Sequence, residues 1–292
     1  MGTVDTVGLV LHPRRDAVPA IETITEWARR RAATVIGLPD EVGRIVCDAV
    51  AVDQQELVTR ADLLVSLGGD GTMLRTMRLS ADGHTTTEPT PVLGVNLGRL
   101  GFLAEIDVSE LPDALSAIDG MRYRVEPRMA VRASLPGGHE VTGFNDIVLV
   151  RSPGHRSAAV AISVQGHPFV RYAADAVIVA TPTGSTAYSF SAGGPIVSPR
   201  LDAMLVVAAA AHSVFNRALM LAADEAVSLE LLPTSGRLAV EVDGLVAGEV
   251  DAGDVVTVVA VPAAAAVVRL GHATFYERAR RKLQVNGSLE VE

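Results

Sequence analysis

The sequence predicts an α/β N-terminal half built on a doubly wound parallel sheet, followed by an antiparallel β-rich half. Three observations carry that prediction. Apolar runs of strand length alternate with amphipathic helical stretches over roughly the first 120 residues; the period then changes to many short β runs separated by turn signals; and a glycine-rich loop at 68–71 joins a strand to a helix.

The elements follow in order. Residues 6–11 (Thr-Val-Gly-Leu-Val-Leu) read as a first buried strand closed by His12-Pro13. Over 20–33, Ile21, Ile24, Trp27 and Ala28 share one helical face while Glu22, Glu26, Arg29 and Arg30 lie off it. A short strand is expected at 34–37, and 45–52 fits neither period well. The run at 62–77, Asp-Leu-Leu-Val-Ser-Leu-Gly-Gly-Asp-Gly-Thr-Met-Leu-Arg-Thr-Met, reads as strand, tight loop and helix, the helix reaching about residue 81. The polar segment 82–91 reads as a mobile surface loop. A strand at 91–95 leads into 96–103, where Gly98 and Gly101 fit either a close approach of backbone to ligand or a plain strand exit. Ser109 is placed to cap a helix through Ile118, which Gly120 stops.

From Tyr123 short β runs are expected at 122–135, 141–151, 158–165, 169–172, 176–180, 227–232, 238–242, 254–261 and 265–270. The domains are therefore drawn at 1–120 and 121–270. Residues 271–292 form a basic terminal helix and tail that packs back on the N-terminal domain, with Arg278, Arg280, Arg281 and Lys282 on a solvated face.

Composition narrows the function. The 292 residues are 49% hydrophobic and 20% charged, which is globular rather than disordered. A net charge of −9 leaves no basic stripe for a nucleic-acid backbone. No apolar run reaches membrane-spanning length, and residues 1–11 lack a basic signal-peptide start, so a cytoplasmic protein without membrane partners is expected. The single cysteine, Cys47, excludes an intrachain disulfide and reads as a small buried hydrophobe. Lys282 is the only lysine, which excludes both a Walker phosphate loop and a protein kinase.

Three stretches carry chemistry. In the first, Gly68, Gly69 and Gly71 let backbone amides face phosphate oxygens, with the helix N-terminus behind them. Asp70 is the only side-chain charge in that cradle, a residue type suited to a proton or a metal ion rather than to phosphate neutralisation; a helix cap is the simpler reading. In the second, Thr181, Thr183, Ser185 and Thr186 with Tyr188 place many donors and acceptors on one short loop, which also fits an ordinary Ser/Thr-rich turn. In the third, Asn145-Asp146 interrupts an apolar strand pattern. An adjacent amide and carboxylate suit two ribose hydroxyls, and a strand end or bulge explains them equally.

Together these motifs are recognisable. Gly-Gly-Asp-Gly-Thr at 68–72, Asn-Asp at 145–146, Asp175 leading to Thr-Pro-Thr-Gly-Ser-Thr-Ala-Tyr at 181–188, Ala-Gly-Gly-Pro-Ile at 192–196 and Val-Asp-Gly at 242–244 occur in this order. Over nearly its whole length the chain resembles the ATP/polyphosphate-dependent NAD kinases. The resemblance implies a Rossmann-like N-terminal domain, a C-terminal β-sandwich, and phosphorylation of the 2′-hydroxyl of the adenosine ribose of NAD to give NADP. By that likeness Asp70 is the base, while Gly68, Gly69, Gly71 and Thr72 cradle the donor phosphates of ATP or polyphosphate. The NAD contacts implied are Asp70, Gly71, Arg75, Asn145, Asp146, Arg156, Asp175, Thr186, Ala187, Tyr188 and Ser189. Magnesium is expected on the donor phosphates rather than on direct protein ligands, and a homodimer or homotetramer is expected. The chain departs from the family pattern at Asp146 (usually Glu), Ala176 (usually Gly), Ala180 (usually Ser) and Leu245 (often polar). The competing readings are a nucleotide-binding regulator derived from such a kinase, and a lipid or sugar kinase sharing the glycine loop.

Overall fold

A computed structural model describes residues 4–45, 47–82, 88–98, 101–152, 154, 157–271 and 273–285. The chain divides into two compact units, Met1–Glu126 with Ala265–Glu292, and Pro127–Ala264.

The first unit contains β1 (Thr6–Leu11), α1 (Val18–Arg30), β2 (Thr34–Gly37), α2 (Pro39–Val42), β3 (Val50–Ala51), α3 (Gln54–Arg60), β4 (Leu63–Gly68), α4 (Asp70–Asp82), β5 (Pro91–Asn96), β6 (Ile106–Asp107) and α5 (Leu111–Asp119). Its strands run in parallel in the order β5, β4, β1, β2, β3, with β6 beside β5. Because β1 and β4 are buried on both faces, they read as continuous apolar runs rather than as alternation. Ile21, Ile24 and Trp27 of α1 and Leu111, Ala114, Leu115 and Ile118 of α5 pack with Leu9, Leu11, Val65 and Leu67 in one core. That pattern is the signature of an amphipathic helix laid on a sheet.

Two details differ from the sequence reading. Ser109 caps nothing: Asp107 and Glu110 form a capping box around a short 3₁₀ turn at Val108–Glu110, and α5 begins after it. Cys47 is half-buried rather than part of the closed core. The polar segment expected to be a loop has residues 83–87 outside the described set.

Among its described residues the second unit is built of β-strands, with one short α-helix and 3₁₀ turns at Pro136–Gly138 and Thr183–Thr186. Its elements are β7 (Arg124–Ser134), β8 (Glu140–Gly143), β9 (Asp146–Arg151), β10 (Ala158–Val164), β11 (His167–Ala174), β12 (Ala176–Ala180), α6 (Tyr188–Ser191), β13 (Ala203–Ala209), β14 (Leu219–Ala222), β15 (Val227–Leu231), β16 (Leu238–Val242), β17 (Leu245–Val250) and β18 (Val255–Arg269). One antiparallel sheet has the order β14, β13, β12, β9, β16, β17. In the other, β10 pairs with β11 and β15, and β15 pairs with the start of β18. Val160, Leu229 and Val256 from one sheet pack with Leu149, Val177 and Val206 from the other, so the unit is a β-sandwich.

The β runs expected separately at 254–261 and 265–270 are one strand, β18, whose residues from Ala265 onward belong to the first unit and pair there in parallel with β5. The last helix among the described residues is α7 (Phe275–Lys282). Its basic residues are not all solvated. Arg278 is 4% exposed and donates to Glu105 at 3.2 Å and to the Ala104 carbonyl at 2.9 Å, and Arg269 donates to the same carboxylate at 2.8 Å. The Glu105 carboxylate also accepts the Leu270 amide at 2.8 Å. A fully buried acid held by two guanidinium groups and an amide thereby ties β18 and α7 to the segment at 103–105. Among the described residues no helix is long and apolar enough to cross a membrane.

Candidate active site

In the first unit the chain lays β2 and β3 on one side of β1 and β4 and β5 on the other. The carboxyl ends of β1 and β4 thus flank the topological switch point, where doubly wound sheets leave a crevice for ligands. The glycine loop sits there, between β4 and α4. Asp70 is the first residue of α4, yet its carboxylate does not cap that helix. One oxygen accepts the Phe102 amide at 2.9 Å and the other the Leu103 amide at 3.1 Å. A β-carbon on Gly101 would lie 1.7 Å from Asp70 Oδ1, so only glycine lets the carboxylate lie against this backbone. Gly71 is exposed, with nothing within 4 Å of where its side chain would be, which leaves room for a ligand over the helix N-terminus.

Thr72 is buried beneath the loop. Arg75 donates to the Leu11 carbonyl at 3.0 Å and pairs with Glu41, whose other oxygen accepts the Leu11 amide. One terminal nitrogen, Nη2, makes both contacts, so the buried carboxylate engages one arm of the guanidinium. Among the described residues no cluster of three His, Cys, Asp or Glu side chains could hold a metal ion.

The second unit brings together two motifs that are distant in sequence. Thr181 donates its hydroxyl to the Phe144 carbonyl at 2.6 Å and its amide to the Asn145 carbonyl at 2.9 Å. A β-carbon on Gly184 would meet the Asn145 carbonyl oxygen at 2.0 Å. The hydroxyl-rich loop thus lies directly on the Asn145-Asp146 turn. The single run expected at 141–151 is two strands, β8 and β9, with Asn145 in the gap and Asp146 opening β9.

Asp243 holds that gap open. With Gly244 it forms the two-residue turn between β16 and β17, both residues at positive φ (49° and 78°). From there its carboxylate accepts the amides of Phe144, Asn145 and Asp146 at 3.2, 2.6 and 3.3 Å. The Asn145 side-chain amide makes no hydrogen bond among the described residues and is half-buried, so it is available to a ligand.

Asp146 is 3% exposed, and its pKa is pushed up to about 7 by burial, then by the neighbouring charges of Asp243 and Glu241. Tyr188 is half-exposed, and its hydroxyl is shifted upward by burial first and then by Glu241, Asp175 and Asp146. Thr186 and Ala187 are half-buried beside it. Ser189 is fully buried, with an unpaired hydroxyl against Gly194. Asp175 pairs with Arg151 at the end of β9. Leu245 follows the Asp243-Gly244 turn and is 60% exposed, while Ala176 and Ala180 are closed into β12. Arg156 lies outside the described residues.

The sequence comparisons agree with this division. Residues 7–123 match the ATP-NAD kinase N-terminal domain family and residues 144–270 the ATP-NAD kinase C-terminal domain family. NAD kinase 1 of Streptomyces avermitilis is 37% identical across 97% of this chain and 88% of its own length. The chain belongs to the NAD kinase family. Its activity is phosphoryl transfer to NAD. The NAD kinase of Heliobacterium modesticaldum is 38% identical over 96% of this chain and 98% of its own. Among solved structures, yeast NADH kinase complexed with NADH superposes with a TM-score of 0.85 at 27% identity, covering 100% of this chain and 91% of that one. An Archaeoglobus fulgidus NAD kinase in complex with ATP shares the fold, with a TM-score of 0.72 at 24% identity over 97% and 100% of the two chains.

Within this NAD kinase, sequence reading assigned no role to Asp243 or Glu41. Asp243 belonged to a quoted motif, and its turn position between two β runs was the available signal. Glu41 had none, because its partners lie on β1 and α4.

Proposed function

We propose that the chain transfers the terminal phosphoryl group of ATP to the 2′-hydroxyl of the adenosine ribose of NAD, with Asp70 as general base. The observation that carries this is the Asp70 carboxylate, held by one backbone amide on each oxygen beside an open helix N-terminus. Each oxygen retains a lone pair for a hydroxyl proton. The ribose oxygen bonds to the terminal phosphorus, the bond from that phosphorus to the bridging oxygen breaks, ADP leaves with the electron pair, and the hydroxyl proton passes to Asp70. A positioned base contributes about 10²–10⁴-fold to such a step, and the rest is positioning and charge stabilisation.

The amides of Gly68, Gly69, Gly71 and Thr72 cradle the donor phosphates. ATP rather than polyphosphate is supported by the ATP-NAD kinase families that the chain matches. Magnesium accompanies the donor phosphates. Asn145 and Asp146 bind ribose hydroxyls of NAD, and Thr186, Ala187, Tyr188 and Ser189 line its base pocket. Gly71, Arg75, Arg156 and Asp175 complete the NAD contacts. Below its raised pKa of about 7 Asp146 is mostly protonated and can donate a hydrogen bond, where the ionised acid only accepts. The protein works in the cytoplasm as a homodimer or homotetramer. Exposed Met220, Leu245 and Val246 on the outer strands β14 and β17 support self-association, which light scattering reads directly.

The test of the reaction is NADP formation from NAD with magnesium and either ATP or polyphosphate, read by a coupled NADP-specific dehydrogenase. Asp70→Asn is run beside the wild type. Turnover by the wild type alone supports the assignment, and equal turnover by the variant removes Asp70 from its role.

A further inference from the structure

The segment after β1, His12-Pro13-Arg14-Arg15-Asp16, leaves the sheet at the same switch point as the glycine loop. The Arg15 guanidinium lies over two glycines. A β-carbon on Gly98, just beyond β5, would stand 2.6 Å from its Nη1, and one on Gly69 would stand 3.5 Å away. The side chain therefore occupies space that two loops leave open, at the carboxyl ends of β4 and β5.

Its backbone is held in place. His12 Nδ1 accepts the amides of both Arg14 and Arg15 at 3.1 Å, and the Pro13 carbonyl accepts from Arg44. Burial and the charges of Arg15, Arg14, Arg75 and Arg44 lower the His12 pKa, which keeps its ring a neutral acceptor in a cationic surrounding.

Arg75 and Arg15 differ in one respect. Glu41 neutralises Arg75, whereas Arg15 has no carboxylate within ion-pair distance and no side-chain hydrogen bond among the described residues. An exposed guanidinium fork beside amide donors is a bidentate partner for phosphate oxygens. No lysine is placed to do this work: Lys282, the only one in the chain, has its ammonium over the Phe102 ring.

We propose that Arg15 is a phosphate-binding residue of the donor site, gripping the phosphate chain of ATP opposite the amides of the glycine loop. The inference rests on the reading that residues 68–72 cradle the donor. It adds the positive charge that a loop of glycines and one acid lacks. The role is electrostatic: the guanidinium offsets charge on the phosphates and on the departing ADP oxygen, and takes no proton.

The experiment compares Arg15→Ala, Arg15→Lys and Gly71→Val with the wild type, each checked for native circular dichroism. Gly71 faces open space, so a valine there obstructs the cradle without disturbing packing. ATP is varied at saturating NAD and NAD at saturating ATP, and inorganic tripolyphosphate is tested as an inhibitor competitive with ATP. For Arg15→Ala we expect kcat/KM for ATP to fall about 10- to 100-fold, as for loss of a charge-assisted hydrogen bond, with KM for NAD within about twofold and weakened tripolyphosphate inhibition. Arg15→Lys should recover only part, because an ammonium keeps the charge and loses the fork. If Gly71→Val impairs ATP use while Arg15→Ala does not, the Arg15 role is refuted and the cradle stands. If neither impairs it, the cradle reading fails and the Arg15 role with it. A rise in KM for NAD alone in Arg15→Ala assigns the guanidinium to the acceptor and also overturns the proposal.

Discussion

Asp146 offers a prediction whose size follows from the structure. Its pKa rises from 3.8 to about 7, chiefly through burial. Between those values the folded protein binds a proton that the unfolded chain has released, so stability falls as pH rises through that window. A shift of that size corresponds to about 4 kcal/mol once the window is crossed. Asp146→Asn replaces the neutral acid with a neutral amide of nearly the same shape and removes the titration. The two proteins should therefore be about equally stable near pH 4, and the variant should be more stable near pH 8 by an amount approaching about 4 kcal/mol. Urea unfolding of both proteins at closely spaced pH values, read at the transition that unfolds the sandwich, measures the difference. Parallel pH profiles would refute the reasoning, since they would mean that Asp146 titrates in the fold as it does in the unfolded chain.

Four further outcomes are expected. Asp70→Asn should lose transfer by about 10²–10⁴-fold while NAD affinity, measured by calorimetry, changes little. Asp243→Asn should lower the Asp146 pKa below about 7 but leave it raised, because burial is the larger cause; NMR titration of the Asp146 side chain reports it, and KM for NAD should rise as the turn at 144–146 loosens. Gly184→Ala should fold poorly or unfold at markedly lower temperature, since its β-carbon meets a backbone oxygen that cannot rotate away. Glu105→Ala leaves two buried guanidinium groups without their shared carboxylate and should cost about 3–5 kcal/mol, seen as a lower urea midpoint.

What was legible in the sequence was whatever one short stretch encodes by itself. The strand, loop and helix around Asp70 were readable because Leu63–Gly68 is buried on both faces and ends on the first of three glycines within four residues. The Asn145-Asp146 interruption was visible as polarity in an apolar run, but its cause was not: the three amides there are gathered by Asp243, nearly 100 residues later. Glu105 lies more than 160 residues from its partners Arg269 and Arg278, so a basic helix that looks solvated in sequence holds a buried guanidinium. The cap at Asp107 competes in sequence with an equally good cap residue two positions on, Ser109.

The glycine loop posed an electrostatic question, because a carboxylate beside phosphates repels them. Two unit charges 4 Å apart cost about 4 kcal/mol at an effective dielectric of 20, a penalty that a donor site must offset. The structure answers in two parts. Both oxygens of Asp70 accept backbone amides, whose dipoles spread its charge toward Phe102 and Leu103 while leaving a lone pair on each oxygen. Across the switch point the segment after β1 carries Arg14 and Arg15, with Arg44 bonded to its Pro13 carbonyl and Arg75 engaged by Glu41. On the proposed reading, an acid serves as a base beside a polyanion because the amides that orient it also soften its field, and because the fold delivers uncompensated guanidinium charge from the segment after β1. Arginine suits that task where lysine is absent, since its fork meets two phosphate oxygens at once and its charge persists at every working pH.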